Sequence, residues 1–600
     1  NWYLYRAGTY KITGLNSAKI ITNHKNVSTL DFGGAGTLYV SANDTVNIKA
    51  VINAVEIQGD SSWTTTPYDH YYDGGIVSLV GGNDTVNVVG HDLKIHGDSG
   101  NDSIRIDNTA NKIYGEDGDD YINQTINGSN YIDGGNNIDN ITVASHNDWH
   151  VTGGNDNDII TIGSFNSDVN GGGDADKIFA GNNNNIHGGG IAIGENADSS
   201  DTIQANDDNL IYGDADADSI TVHNANTVYG GTTKHDGGTD GIDKILANNS
   251  NTIYGGDGDD SVTATDSNHI EGNDGSDKVL AEDHNSVLGG GGQDSIWVSE
   301  YNLVYGGTSL GIAGDINDSN NGGSDQTEMD AEDTIFADIG NTVFAGGGND
   351  TIAINYRNKA FGGAGNDTIE AKDDDSISGG IGADCIIAGQ HSYIDAGPDA
   401  DNVKAGFNSS VWGFSGNDTI TATDDTSWVD GGSGNDTVFV QDDSTVYGGA
   451  GKDCIEASSG NIIYGDADAT SSVVVDNLLH GDDTNYTGAL LGLHHSDSVD
   501  ADDDSIKADS RNTIHGGWGK DSIIGIDSNL TYGDVGNDTI FFKSHNSIWG
   551  GAGSDVIRAT DFNLIYGDDS RGDDSGAGDD SIVARTDDTI YGGAGKDTII

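Results

Sequence analysis

Apolar residues recur at every second position in short runs along this chain, and the runs come in pairs at a fixed period. Between Asn251 and Gly307 the rule repeats without interruption: Asn251, Asn268, Asn285 and Asn302 stand 17 apart, as do Gly255, Gly272, Gly289 and Gly306, and Asp260, Asp277 and Asp294. A period this short predicts a solenoid with one repeat to each coil. Within a period Ile253 precedes a glycine turn, and Val262 with Ala264 follows it. Alternation at every second residue is the strand signature, so each coil should hold two strands and two turns. Coils stacked in register would bury Ile253, Ile270, Val287 and Val304 in one column and Val262, Val279 and Ile296 in a second. The expected fold is all-β, a parallel β-solenoid with two short strands and two turns per coil of 17–18 residues.

The glycine turn carries the candidate chemistry. Gly255, Gly256, Asp257, Gly258, Asp259, Asp260, Ser261 and Val262 read Gly-Gly-x-Gly-x-Asp-x-aliphatic. Calcium takes six to eight hard oxygens, glycines let the backbone turn its carbonyls toward one point, and one carboxylate per turn supplies charge. The stretch resembles the repeat-in-toxin (RTX, haemolysin-type) family of calcium-binding β-rolls, whose nonapeptide has this form. That resemblance implies Ca2+ as cofactor, several ions along the glycine turns, and a secreted bacterial protein of surface-layer or adhesin type. It implies as ligands Gly255, Gly256, Gly258, Asp260, Asp277 and Asp294, preceded by Asp84, Asp102 and Asp120. The same position is held later by Asp350, Asp367, Asp384, Asp401, Asp418, Asp436, Asp453, Asp521, Asp538, Asp555 and Asp597. The family's usual arrangement has the nonapeptide on both sides of the roll. Here the opposite turn is of the type Thr265, Asp266, Ser267, Asn268, so one calcium column is expected rather than two.

Composition sharpens this reading. With 92 glycines, two prolines and 34% hydrophobic residues, the chain would read as half disordered if the period were ignored. A formal net charge of −73 on closely stacked coils opposes folding without counter-charge. Calcium would supply that charge, so folding should be coupled to it. With only 25 Lys and Arg, nucleic acid and anionic membrane are excluded as partners, since both need basic surface. No charged, apolar leader opens the chain and no run of about 18 apolar residues occurs, so neither a signal peptide nor a transmembrane helix is expected within it. The last residues, Thr598, Ile599 and Ile600, fall in mid-coil, and the expectation is a longer parent protein trimmed at one or both ends. Cys385 and Cys454 follow Asp384 and Asp453, four coils apart. That is roughly 19 Å at about 4.8 Å per coil, beyond the ~7 Å reach of a bridge, so both should be free thiols within one chain.

Residues 1–80 alternate like strands (Tyr10 to Thr13, Leu38 to Val40, Val46 to Ile48, Val55 to Ile57) without the aspartate turn, and should form metal-free coils or an N-terminal cap. Their best loop runs from Trp63 to Asp73. Residues 81–600 should form the calcium-binding solenoid, beginning at Gly81, Gly82, Asn83 and Asp84 and interrupted near 190–200, 231–240, 308–331, 466–502 and 568–577. These insertions all follow the glycine that ends the first strand, and so should emerge from the calcium side. The largest, with Val473, Val474, Val475, Leu490 and Leu491, is too apolar for a bare solvent loop and either folds onto the solenoid or meets a partner. In the opposite turn the Asn column continues through Ser392, Ser409, Ser427 and Ser444 to Asn512 and Asn546, as a hydrogen-bonded ladder would require. An outward position after the first buried aliphatic holds Tyr114, Tyr254, Tyr305, Trp412, Tyr447, Tyr464, Trp549, Tyr566 and Tyr591. This intermittent stripe suits a strand surface, lateral packing between rods, or stacking on sugar rings.

Three functions compete. The first is an extracellular, calcium-dependent structural rod of about 30 coils, on the order of 140 Å long, that self-associates as a surface layer, filament or adhesin stalk, with cell-surface polysaccharide as a further partner. The second is a polysaccharide lyase or epimerase on a β-helix, disfavoured because no cluster of catalytic residues breaks the repeat at neighbouring coils. The third is an ice-binding RTX rod, disfavoured because the third motif position holds Asp257, Asp274, Gly291, Ala364, Ser433 or Ala450 rather than a flat Thr row. No catalytic residue is assigned.

Overall fold

The computed structural model describes, with side chains, residues 83–85, 94–106, 110–125, 130–144, 150–163, 166–189, 199–231, 241–307, 331–466, 502–568 and 578–600, together with the backbone of further strands between residues 2 and 149. Two compact units, Asn1–Ser286 and Val287–Ile600, are built in the same way. Each is a parallel β-solenoid whose coils contribute one strand before the glycine turn and one after it.

In the first unit the strands before the glycine turn pair so that Ile95, Ile113, Ile132, Val151 and Val169 follow one another, and further on Ile211, Val228, Ile253 and Ile270. Strands after the turn do the same with Ile104, Ile122, Ile141 and Ile160, and later with Ile245, Val262 and Val279. All of these side chains are fully buried. β-Branched residues dominate both columns because one face of each strand is packed and the branched side chain fits the pleat. Exposed Ser, Thr, Lys and Asn alternate with them, which fixes the register, since a slip of one residue would turn every Ile to solvent.

The expectation of strands before residue 80 holds for the backbone. Trp2–Leu4, Ser17–Thr22, Thr37–Ser41, Ala54–Gln58 and Gly75–Ser78 pair in parallel and join Leu93–His96. Gly8–Ile12, Val27–Gly33, Thr45–Val51 and Ser62–Thr65 likewise lead to Thr85–Val88. The loop expected from Trp63 to Asp73 is shorter than that, because Trp63, Thr64 and Thr65 lie in a strand; residues 66–74 fall outside those described.

In the second unit the first ladder carries Val343, Ala360, Ile377, Ile394, Val411, Val429 and Val446, and the second Ile296, Ile335, Ile352, Ile369, Ile386, Val403 and Ile420. Near its end Phe542 fills the space above Gly525, a large residue set against the smallest in one column. The insertions lie outside the described residues, but the strands flanking them pair directly. Cys454–Ala457 pairs with Ser505–Ala508, and Ile462–Asp466 with Thr513–His515, so the coil resumes in register after residues 467–501. Both cysteines are free, and Cys385, Asn402, Thr419, Thr437 and Cys454 follow one another along the ladder, four coils from end to end as expected.

Candidate metal column

The two turns of a coil solve the same problem in different ways. Each must satisfy backbone N–H groups that a stack of turns would leave unpaired. In the polar turn, Asn529 Oδ1 accepts the N–H of Asn512 at 2.9 Å, and Asn546 Oδ1 accepts that of Asn529 at 2.9 Å. The other half of the amide is used too: Asn512 Nδ2 donates to Ser458 O at 3.0 Å and to Asn529 Oδ1 at 3.1 Å. Asp375, Ser409, Ser444 and Asp588 take over the accepting role where Asn is replaced. The ladder expected from the sequence is present, and its members are buried except for the part-buried Asp588 at its end.

In the glycine turn the motif aspartate does half of this. Asp102 Oδ1 accepts Asp84 N–H at 2.7 Å, and Asp120 Oδ1 accepts Asp102 N–H at 2.7 Å. The link Asp260 N–H to Asp277 Oδ1, at 2.8 Å, belongs to the same unit. In the second unit Asp294, Asp350, Asp367, Asp384, Asp401, Asp418, Asp436, Asp453, Asp521, Asp538 and Asp555 continue the row in the same bonding pattern. Asp597 closes it, accepting from Asp580 at 3.2 Å. The second carboxylate oxygen differs from the Asn amide. In Asp102, Asp120, Asp384, Asp401, Asp436, Asp521 and Asp538, Oδ2 is buried without a hydrogen-bond partner.

The glycines explain where that oxygen points. A Cβ added to Gly255 would stand 2.5 Å from Asp260 Oδ2 and 2.5 Å from the carbonyl oxygen of Gly272 in the next coil. On Gly516 it would stand 2.7 Å from both Asp521 Oδ2 and Gly533 O. Glycine therefore predominates at the first position, because a carboxylate oxygen and a carbonyl oxygen converge where a Cβ would stand, although Ala345 and Ala396 hold that position in the coils of Asp350 and Asp401. Gly256 and Gly258 lie at φ of 121° and 139°, where an L side chain is strained. Where the second or fourth motif position is not glycine, it is often Asp or Asn at positive φ, as at Asp98, Asn137, Asp156, Asp174 and Asn273. Among the described residues no three His, Cys, Asp or Glu side chains converge, so the oxygens facing each carboxylate here are backbone carbonyls.

A row of buried oxygens, half of them formally charged, is electrostatically unfavourable. Burial pushes Asp102 up to about 8, opposed by the N–H of Asp84 and reinforced by the carboxylates of Asp120, Asp84 and Asp98. Burial likewise raises Asp401 to about 8 and Asp158 and Asp504 to about 9. Such groups take either a proton or a cation. The donor set is hard oxygen throughout, which suits Ca2+ rather than a softer metal. The turn Asp carboxylates and first-glycine carbonyls would hold the ion, and its charge would offset the row.

The structure also places aspartates that the candidate ligands omitted. Asp201, Asp218 and Asp243 take the same position and accept from Asp176, Asp201 and Asp218. Their turns lack the full glycine set, and two of them follow insertions; the signal that marks them is Asp followed by a polar residue and Ile. Asp504 and Asp580 resume the row after the insertions at 467–501 and 569–577. The residue before the motif aspartate has its own role. Asn349 Oδ1 accepts Asn366 N–H, and Asn366 Oδ1 accepts Ala383 N–H, running opposite to the buried row.

The aromatic stripe is more continuous than the sequence suggested. His515 and Tyr532 close gaps between Tyr464 and Trp549, with successive ring centroids 5.2, 4.7 and 4.9 Å apart and planes within 20°. Tyr566 and Tyr591 extend the stack. A ring stacked on both faces has no face to offer a sugar, so this row presents edges.

An all-β solenoid with a column of turn carboxylates and carbonyls defines a calcium-binding repeat protein. The RTX calcium-binding nonapeptide repeat matches at residues 96–123, 237–268, 330–353, 361–390, 412–444, 441–461, 500–525, 543–569 and 574–600. Those stretches are thus repeats of the RTX β-roll family, and the described coils between them have the same two-strand construction. No curated protein matches the chain at a significant level.

Proposed function

We propose that the protein is an extracellular, calcium-dependent structural element that builds a bacterial cell-surface assembly by self-association, as a surface layer, filament or adhesin stalk. The observation that carries this is the regularity of the carboxylate row: among the described residues one buried Asp per coil, in one pattern, from Asp84 to Asp580. A row of this kind organises a stiff repetitive body, whereas catalysis needs convergent groups that depart from the repeat. Millimolar extracellular calcium would load weak oxygen sites that cytosolic calcium would leave empty. Among the described residues no helix is long and apolar enough to cross a membrane.

Circular dichroism and small-angle scattering of the chain in millimolar calcium and in chelator test the proposal. β structure and concentration-dependent association should both require calcium. An unchanged spectrum in chelator, or a strictly monomeric chain at high concentration in calcium, would overturn the assembly reading. Measurable cleavage or epimerisation of a polysaccharide would replace it with the enzyme.

A further inference from the structure

We propose that the outer face of the second ladder in the unit Val287–Ile600 is a self-docking surface, on which a second copy of the chain lies antiparallel with Ile387 on the two-fold axis. The inference rests on the self-association proposed above and names its face and register.

The strands of this ladder pair so that, outward from Ile387, one side reads Glu370, Ala353, Phe336 and the other Lys404, Thr421, Phe439, one residue per coil. Ile387 is 43% exposed, Phe336 39% and Phe439 38%, although the aliphatics on the inner face of the same strands are fully buried. Ile387 thus stands between two opposite charges, Glu370 and Lys404, with one ring three coils out on either side, and Phe336 is itself stacked on Trp297 at 5.5 Å.

The order of these residues specifies the cover. A two-fold axis lying between two such faces and parallel to the strands reverses the order of coils but keeps each position along the strand. Glu370 then meets Lys404 of the partner subunit, and Lys404 meets the partner's Glu370. Ala353 faces Thr421 of the partner subunit, and Phe336 faces the partner's Phe439. Beside them Lys372 faces Gly406 of the partner subunit and Asp338 faces the partner's Gln441, so no like charges oppose. Moving the axis half a coil either way sets Ile387 against a charged residue and leaves both ion pairs unmade, so the register is specified as well as the face.

Cys385 stands two residues before Ile387 in the same strand, so the same axis brings the two Cys385 residues of a pair opposite one another. Cys454, four coils away, has no such counterpart. With faces about 10 Å apart the two thiols are too distant for a disulfide but within reach of a short bis-maleimide. Seven coils of about 4.8 Å by a strand width of about 13 Å give roughly 450 Å² per copy. Twice that is about 900 Å², below the ~1,200 Å² of ordinary stable interfaces, so the single contact is weak and cross-linking is the suitable probe.

The test uses the full chain in millimolar calcium with bismaleimidoethane. Cys454→Ser should still yield covalent dimer, and Cys385→Ser should not. Glu370→Lys or Lys404→Glu alone should lower the yield about tenfold, and the double charge swap should restore it. Circular dichroism confirms that each variant is folded. Dimer formed through Cys454, single charge reversals without effect, or a folded double swap that fails to recover would overturn this face while the assembly reading stood. Absence of any association by scattering would overturn both.

Discussion

Replacing Asp538 with Asn separates the two roles of the turn carboxylate. Its Oδ1 accepts Asp521 N–H at 2.9 Å, its own N–H goes to Asp555 Oδ1 at 2.8 Å, and its Oδ2 has no donor. That Oδ2 lies over Gly533, 2.5 Å from where a Cβ there would stand. Asn keeps the acceptor and removes the charge. Burial, opposed by the N–H of Asp521 and reinforced by the carboxylates of Asp555, Asp521 and Asp534, pushes Asp538 up to about 8 from 3.8. The stabilisation carried by the protonated form is therefore complete below pH 3.8 and is lost as pH rises through about 8. At pH 7 without calcium, keeping this group in the fold costs about 4 kcal/mol relative to the unfolded chain, at ~1.4 kcal/mol per unit. The amide escapes that cost but has some desolvation of its own, so Asp538→Asn should stabilise the calcium-free coil by on the order of 2–4 kcal/mol. With calcium the sign reverses, because the ion loses a charged donor, and the local affinity should fall about tenfold or more. Hydrogen exchange over the peptide 521–555, titrated from pH 4 to 9 in chelator and repeated in calcium, reads both effects. Unchanged protection in both conditions would mean that Asp538 serves only as a hydrogen-bond acceptor and would refute the reasoning.

Three further outcomes follow. Asn546→Ala removes the acceptor for Asn529 N–H and the donor to Ile526 O and Ser544 O, and should cost about 2–4 kcal/mol by urea unfolding in calcium. Its hydrogen-exchange effect should stay within the polar turns. Gly516→Ala places a methyl where Asp521 Oδ2 and Gly533 O converge, a position that Ala345 and Ala396 fill in their own coils, so it should weaken one calcium site by calorimetry without removing it, while distant coils keep their protection. Lowering the pH of the chelated chain from 8 to 4 should restore β structure by circular dichroism, since burial raises Asp139 and Asp453 to about 8 and protons can replace the ion.

Most of the coil was readable from residue spacing. The 17-residue period and the alternation around Ile253 and Val262 dictate two strands and two columns, because only that register buries every aliphatic. The Asn ladder was readable for a related reason: a small residue able to both donate and accept recurs at one position. Asp201, Asp218 and Asp243 are not legible as ligands from glycine spacing, because positive φ in the turn of Asp218 is carried by Asp214 and Asp216 rather than by glycine. The aromatic row is longer than its Tyr and Trp residues alone suggest, because His187 and His515 belong to it. In the fold they occupy the same outward column as Tyr212 and Tyr532 and stack on them at 4.5 and 4.7 Å. What a stack of coils does to neighbouring rings is a property of the register, and appears only once the coils are laid on one another.

The contrast between the two turns gives calcium its leverage. On the polar side, from Asn512 to Asn546, each coil closes on its neighbour through an amide that both accepts and donates, so that stretch of the edge is satisfied whatever the solution contains. On the glycine side the identical backbone problem is solved by a carboxylate, which accepts equally well but leaves one oxygen facing another oxygen. Replacing each Asp with Asn would satisfy both edges and yield a solenoid indifferent to calcium. The chain instead keeps Asp in coil after coil and bears raised carboxyl pKa values for it, and under the proposed function stability along that edge is conditional on a cation. A body assembled this way can remain unfolded where calcium is scarce and become rigid where it is abundant.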